Sequence, residues 1–291
     1  MEEVCYLNII PDEIRKYVIS LTKNKIFDLC LINHYFNDNC KIIRIVDNFK
    51  YPRITDIFLK SLVNLTHLDL YNNNIITDEG IKGLINLISL NLRCNNKITN
   101  EGIKKLINLN SLNLSFNDKI TNEGIKGLIN LTSFNLDSNK KITNEGITSL
   151  VNLTSLDLSY HNNITNEGMK GLINLTYLSL DNNKMITNEG LGKLINLTYL
   201  NLSNSNQITN EGIKKLTNLT SLNLCNNNNK ITDEGIKGLT NLTFLDLSFN
   251  NKITDEGIKE LINLTSLYLY KNNIITAVGI KRLINLIFVN R

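Results

Sequence analysis

Catalysis and metal binding need particular side chains held close together, and this chain offers few candidates. Its three histidines, His34, His67 and His161, match no catalytic or metal-ligand spacing. Its five cysteines, Cys5, Cys30, Cys40, Cys94 and Cys225, are odd in number and form no CxxC pair. They support neither a zinc site nor a disulfide framework, and read as reduced thiols of a cytosolic or nuclear protein. The glycines of the repeated segments stand singly, so no phosphate-cradling loop is formed. Asp181-Asn-Asn-Lys lacks the alternating acids and central glycine of a calcium loop. The expectation is therefore no catalytic residue, no metal and no cofactor. What remains is recognition chemistry, in which aromatic rings beside charges bury area and supply polar handles.

Those rings must be positioned by a repeat. The segment from Leu65 to Asn73 recurs from Leu87, Leu109, Leu131, Leu153, Leu175, Leu197, Leu219, Leu242, Leu264 and, truncated, Leu286. The step is 22 residues, except for 23 between Leu219 and Leu242. Copying one short unit also explains a composition of 51 Asn, 47 Leu and 40 Ile with a single Ala.

The unit reads LxxLxLxxNxxITxEGIxxLxN. Leu68 and Leu70 alternate as a short strand with one buried face does. The following Asn (Asn73, Asn95, Asn117 and equivalents) carries donors and an acceptor for backbone groups where the chain turns inward. His161 and Ser205 replace it in two copies. Thr77 and its equivalents are suited to cap a helix whose first turn holds acid. Ile81, Leu84 and Ile85 have the spacing of one apolar helix face. The closing Asn86, Asn108 and Asn130 are expected to end that helix in a left-handed conformation. The Gly80 column removes a side chain at one point in every copy, as close approach of neighbouring helices requires. About seven apolar side chains per copy then need stacked copies to bury them.

This pattern resembles the leucine-rich-repeat family over residues 54–290. The resemblance implies an α/β solenoid with a parallel sheet on the concave face and short helices on the convex face. The ITDEGIxxL half is similar to the repeats of F-box/leucine-rich-repeat proteins. On this reading the outward strand positions are the variable surface, and most are small and polar. Two patches depart from that. One combines Asp157, Tyr160, Tyr177, Asp181 and Tyr199. The other combines Phe244, Asp246, Phe249, Tyr268, Tyr270 and Lys271. Both are read as sites for an unidentified protein partner; the alternative is drift among duplicated copies plus capping of the C-terminal end. Phe116 with His67, Asp69, Tyr71 and Arg93 forms a weaker third group. The convex Glu79-type and Lys82-type residues read as a solvated ladder.

Residues 1–50 do not repeat, and residues 51–291 form the solenoid. Pro11 followed by Asp12 and Glu13 marks a helix start. Ile14, Val18 and Leu21, then Ile26, Leu29, Ile32 and Phe36, have helical spacing, so a small all-α module is expected. It can serve as a cap over the first copy. The run Ile10-Pro11-Asp12-Glu13-Ile14, then Val18, Leu21, Leu29, Ile32 and Phe36, also resembles an F-box, although Asn33 departs from that family's usual Cys. The resemblance implies that Ile10, Pro11, Ile14, Val18, Leu21, Leu29, Ile32 and Phe36 supply the interface to a Skp-type adaptor and its supporting core. The solenoid would then hold a substrate for a cullin-based, SCF-type ubiquitin ligase.

A formal net charge of +4 is too weak to point to nucleic acid. No run reaches the roughly 18 apolar residues of a membrane span, and no signal peptide is visible, so a cytoplasmic site is expected, host cytoplasm if the source is viral. The last copy halts at Asn290 without a polar cap. An open strand edge there predicts weak self-association or a compensating partner.

Overall fold

The computed structural model describes residues 55–227 and 230–290 together with one strand at 42–44. The F-box-like residues from Ile10 to Phe36 lie outside the described residues. The chain forms two compact units, divided between Asn130 and Leu131.

In the first unit the strands are β1 (Ile42–Arg44), β2 (His67–Asp69), β3 (Ser89–Asn91) and β4 (Ser111–Asn113). They pair in parallel in chain order, with register Ile43↔Leu68↔Leu90↔Leu112. Strand β1 falls inside the segment read from sequence as helical. The helices are α1 (Asp56–Ser61), α2 (Asp78–Ile81), α3 (Asn100–Ile103) and α4 (Asn122–Ile125).

The second unit repeats the plan. Its strands are β5 (Ser133–Asn135), β6 (Ser155–Asp157), β7 (Tyr177–Ser179), β8 (Tyr199–Asn201), β9 (Ser221–Asn223), β10 (Phe244–Asp246), β11 (Ser266–Tyr268) and β12 (Phe288–Asn290). Each pairs in parallel with the next. Its helices are α5 (Asn144–Ile147), α6 (Asn166–Met169), α7 (Asn188–Leu191), α8 (Asn210–Ile213), α9 (Asp233–Ile236), α10 (Asp255–Ile258) and α11 (Ala277–Lys281).

The internal copies bury the same set, whereas at the C-terminal end Ile280 and Leu286 are half-buried and Val289 is exposed. In the second copy these are Leu87, Leu90, Leu92, Ile98, Ile103 and Leu106, all at 1% exposure or less. Full burial of such a side chain stabilises by ~1.5–3 kcal/mol before entropy is subtracted. The expected seventh member is not among them. Ile85 is 54% exposed, as are its equivalents Ile107 and Ile129 to a similar degree. Helix α2 ends at Ile81, so the i+4 position lies past its last turn and helical spacing no longer points inward.

Three polar ladders run between copies. In the first, Asn95 accepts the N–H groups of Lys97 and Ile98 at 3.0 Å and donates to the carbonyls of Leu70 and Asn73 in the preceding copy. Where His161 stands at this position, Asn162 takes over only the closing of the turn, accepting from Ile164 and donating to the Leu158 carbonyl of its own copy, while Asn163 donates to the Lys140 carbonyl one copy back. Ser205 keeps a single bond, to the Asn183 carbonyl. The long copy disturbs the ladder: buried Asn227 Oδ1 and Asn250 Nδ2 have no partner among the described residues.

In the second ladder the closing asparagines correct the expectation of left-handed helix ends. They do not have positive φ. Instead Asn86 donates to the Val63 carbonyl and Asn108 to that of Ile85, each one copy back. The left-handed residues are the ones before the buried Asn, from Asn72 (φ 51°) to Lys271 (φ 53°).

The third ladder uses the first helical residue. Asp56 accepts both the N–H and the hydroxyl of Thr77 in the next copy, and Asp233 does the same for Thr254. Where the residue is Asn, its amide donates to the threonine instead, as Asn188 does to Thr209. The consequence is local. Thr77, Thr99, Thr254 and Thr276, which donate to Asp, also cap their helices. Thr121, Thr165, Thr187, Thr209 and Thr232, which accept from Asn, do not. A hydroxyl that donates keeps both lone pairs for the helix N–H; one that accepts from an amide has spent one.

This ladder also explains the glycine column more closely than helix approach alone. A Cβ on Gly235 would lie 2.6 Å from Asn210 Oδ1, which is held by Thr232, and 3.1 Å from Ile231 Cγ2. A Cβ on Gly238, three residues on, would meet nothing within 4 Å. Gly235→Ala is therefore expected to destabilise by about 1–3 kcal/mol, and Gly238→Ala to stay within about 0.5 kcal/mol of the parent. Urea unfolding of both variants tests this; equal midpoints would remove the ladder as the reason for the glycine.

Candidate functional site

The strands present alternate side chains to solvent, and parallel pairing in register brings equivalent outward residues of adjacent copies side by side. Tyr177 and Tyr199 are such neighbours on β7 and β8. Their rings stack with centroids 4.2 Å apart and planes 8° from parallel. Burial, then the neighbouring Tyr199 and Asp157, push the Tyr177 hydroxyl well above its ordinary pKa. Tyr160 and Asp181 meet at the edge of the same face: the Tyr160 N–H donates to the Asp181 carbonyl at 2.7 Å. The Asp181 charge, with partial desolvation and a hydrogen bond, raises the Tyr160 hydroxyl. All five predicted residues of this patch thus lie together.

The second patch has two parts. Phe244 and Tyr268 lie 5.3 Å apart, and Tyr268 continues to Phe288 at 5.2 Å, giving an aromatic run across β10, β11 and β12. Phe249 and Tyr270 meet edge to face at 5.4 Å, with the Lys271 ammonium 5.3 Å from one ring centroid and 5.5 Å from the other. Phe288 is missing from the predicted set, although its place in the His67 column carries the signal. In the first unit the weaker third group also assembles: the Arg93 guanidinium lies 5.9 Å from the Tyr71 ring centroid and 5.2 Å from that of Phe116.

Two predicted residues have a second role. Asp157 and Asp246 accept the N–H two residues on, from Ser159 and Ser248, as Asn91 does from Arg93. The turn needs only an acceptor there, so the carboxylate charge is additional to the fold. Three further rings sit at a turn position that is left-handed in every full copy, Cys94, Ser138 and Lys271 included. Phe116, Tyr160 and Phe249 have φ between 54° and 58°, at the turn position held by Asn in four other copies. A left-handed conformation costs residues other than Gly and Asn roughly 1–2 kcal/mol. Aromatic rings stand here against the backbone's preference.

The helix side is different. Glu101–Lys104, Glu167–Lys170 and Glu211–Lys214 form exposed pairs at 2.6 to 2.7 Å, three residues apart. Each is worth ~0.2–0.5 kcal/mol and reads as a solvated surface. Among the described residues no group of three metal-ligating side chains converges, and no helix is long and apolar enough to cross a membrane. Cys94 and Cys225 are unbridged.

Comparison with known proteins agrees with this architecture. The Leucine Rich repeat model matches eight successive segments from 61–85 to 215–239, and a two-copy Leucine Rich repeats model matches 240–285. An internalin from Listeria monocytogenes is 30% identical, covering 81% of this chain and 71% of its own, with a TM-score of 0.61. A leucine-rich-repeat protein from Leptospira interrogans is 27% identical over 88% of this chain and 68% of its own, TM-score 0.60. The yeast Rad7 and Elc1 complex matches at 19% identity over 100% of this chain and 98% of the matched one, TM-score 0.54, a likeness of fold alone. No curated protein matches.

The stack supplies a direct test. Tyr177→Ser and Tyr199→Ser, singly and together, should show a coupling energy of about 0.5–1.5 kcal/mol in urea unfolding. Strict additivity would mean that the two rings do not interact in solution.

Proposed function

This chain belongs to the leucine-rich-repeat family, and we propose that it is a non-catalytic protein-interaction module that recruits a partner on its strand face. The observation that carries this reading is the grouping of aromatic rings on one face. Tyr177 on Tyr199 and Phe244 on Tyr268 are half-buried on the strands, and Tyr160, Phe249 and Tyr270 are exposed at 43%, 40% and 50% in the turns that follow strands. Rings beside charges are the commonest anchors of protein interfaces. The three polar ladders hold the backbone beneath them, so little ordering cost remains for binding.

The finer reading is that the module is the substrate-recognition subunit of an SCF-type ubiquitin ligase. It rests on the F-box-like residues Ile10, Pro11, Ile14, Val18, Leu21, Leu29, Ile32 and Phe36, joined to a repeat array with the ITDEGI half-unit. They would engage a Skp-type adaptor and, through it, a cullin, in the cytoplasm. The second reading is a free-standing repeat scaffold in which the N-terminal segment only caps the array.

A pulldown separates the two. Purified Skp-type adaptor is expected to be retained by the full chain and lost with Pro11→Ala plus Leu21→Ala. Failure of retention by the parent, or retention unchanged by the double substitution, leaves the scaffold reading. The strand face is tested on its own: Phe244→Ser, Tyr268→Ser and Tyr270→Ser together should weaken partner capture at least tenfold while the circular dichroism spectrum is unchanged.

A further inference from the structure

The two patches of the second unit differ in chemistry, and the difference specifies what can bind. Because the Tyr177 and Tyr199 rings are parallel and only 4.2 Å apart, their outer faces point along the stack. The outer face of Tyr177 overlooks Ser155, its register partner on β6. Serine is small and leaves room over that face of the half-buried Tyr177. Asp157 lies two residues along the same strand, and Asp181 follows β7. No salt bridge among the described residues involves Asp157, Asp181 or Asp246. Their hydrogen-bond partners are neutral, Asn135 and the Ser159 N–H on Asp157, and Asn204 and Tyr160 on Asp181. A π face beside carboxylates that no cation neutralises is a receptor for a cation. In the second patch the Phe244, Tyr268 and Phe288 run offers apolar area instead. The charge of this face is opposite in sign to the chain's net +4, and it opposes binding of phosphate backbones.

We infer that the second unit binds an extended protein segment crossing its strands, with an Arg or Lys side chain over Ser155 against Tyr177 and an apolar side chain on Phe244 and Tyr268. From β6 to β10 is four strand spacings, ~19 Å at ~4.8 Å each, which an extended chain spans in about six residues at ~3.3 Å per residue. The recognition rule is a basic residue and an apolar residue about six positions apart. It rests on the reading of the strand face as a protein-binding surface, and names the class of partner.

Dye-labelled dodecapeptides in a Gly/Ser background provide the probe, read by fluorescence anisotropy against the full chain. One carries Arg and Leu six residues apart, one carries them two apart, and one has Glu for Arg. The six-residue peptide should bind at least tenfold more tightly than the other two. Asp157→Asn with Asp181→Asn should erase that preference. The Asn at 157 keeps the turn acceptor, which Asn already supplies at residues 91 and 113, so the fold is retained. Equal binding of all three peptides, no binding of the six-residue peptide at millimolar concentration, or a preference unchanged in the Asp variants would overturn the inference. Should a partner protein be captured through Phe244, Tyr268 and Tyr270 while the peptides are not distinguished, the interaction-module reading stands and this inference alone fails. If the strand-face substitutions change neither, both fail.

Discussion

The stack depends on one buried polar side chain per copy, an asparagine in every full copy but that of Ser205. The strands are three residues long, and the helices of the repeated copies four or five. Neither could persist alone, because a helix that short never recovers its nucleation cost. A chain that turns inward after every strand also buries backbone groups that the sheet does not satisfy. Asn95 and its equivalents meet both problems. Asn95 and Asn117 each accept two N–H groups of their own turn and donate to two carbonyls of the copy before, a pattern that Ser205, Asn227 and Asn250 keep only in part. Leaving such groups unmet would cost about 1–3 kcal/mol apiece. The amide thus closes its own copy and fastens it to the preceding one.

The other ladders build on that register. Once the buried Asn sets the step, the first helical residue of one copy reaches the threonine of the next, and the glycine beside it must lack a Cβ. The Asp or Asn choice at that station then decides whether the threonine also caps its helix. Asp255 shows the balance of forces. Burial pushes its carboxyl up, but bonds from Thr276 and the Gly279 N–H outweigh this and hold it below its ordinary value. Rigid stacking of this kind frees the outward strand positions from structural duty, and recognition residues accumulate there. Tyr177 on Tyr199 is a direct product of parallel register, in which the same outward position of successive strands places ring beside ring; Phe244 instead meets Tyr268 diagonally, two residues off its register partner Ser266.

Much of this was legible in the chain because repetition multiplies weak signals. The LxL alternation, the Asn after it and the Thr-Asp-Glu-Gly run each recur, so strand, turn and helix start could be placed without coordinates. Both aromatic patches show in the columns of equivalent residues, because the paired strands within each unit keep register. Local pattern failed where a position's partner lies one copy away. Asn86 looks like a helix terminator, yet its amide serves the Val63 carbonyl. Ile85 has helical spacing from Ile81, yet the helix stops first. Phe288 belongs to the aromatic run only because β12 lies against β11.

Periodicity and side-chain chemistry within one copy are enough to give the unit, its length, six of its seven expected core side chains and the face on which variation falls, Ile85 being the core position they misplace. What the polar residues do for the neighbouring copy emerges from stacking alone: which asparagine crosses, which threonine caps, which glycine is compulsory and which outward ring meets which. Hydrogen bonds and ring contacts between residues some 22 positions apart depend on the stagger of stacked copies to within an ångström, and composition and spacing do not carry that quantity.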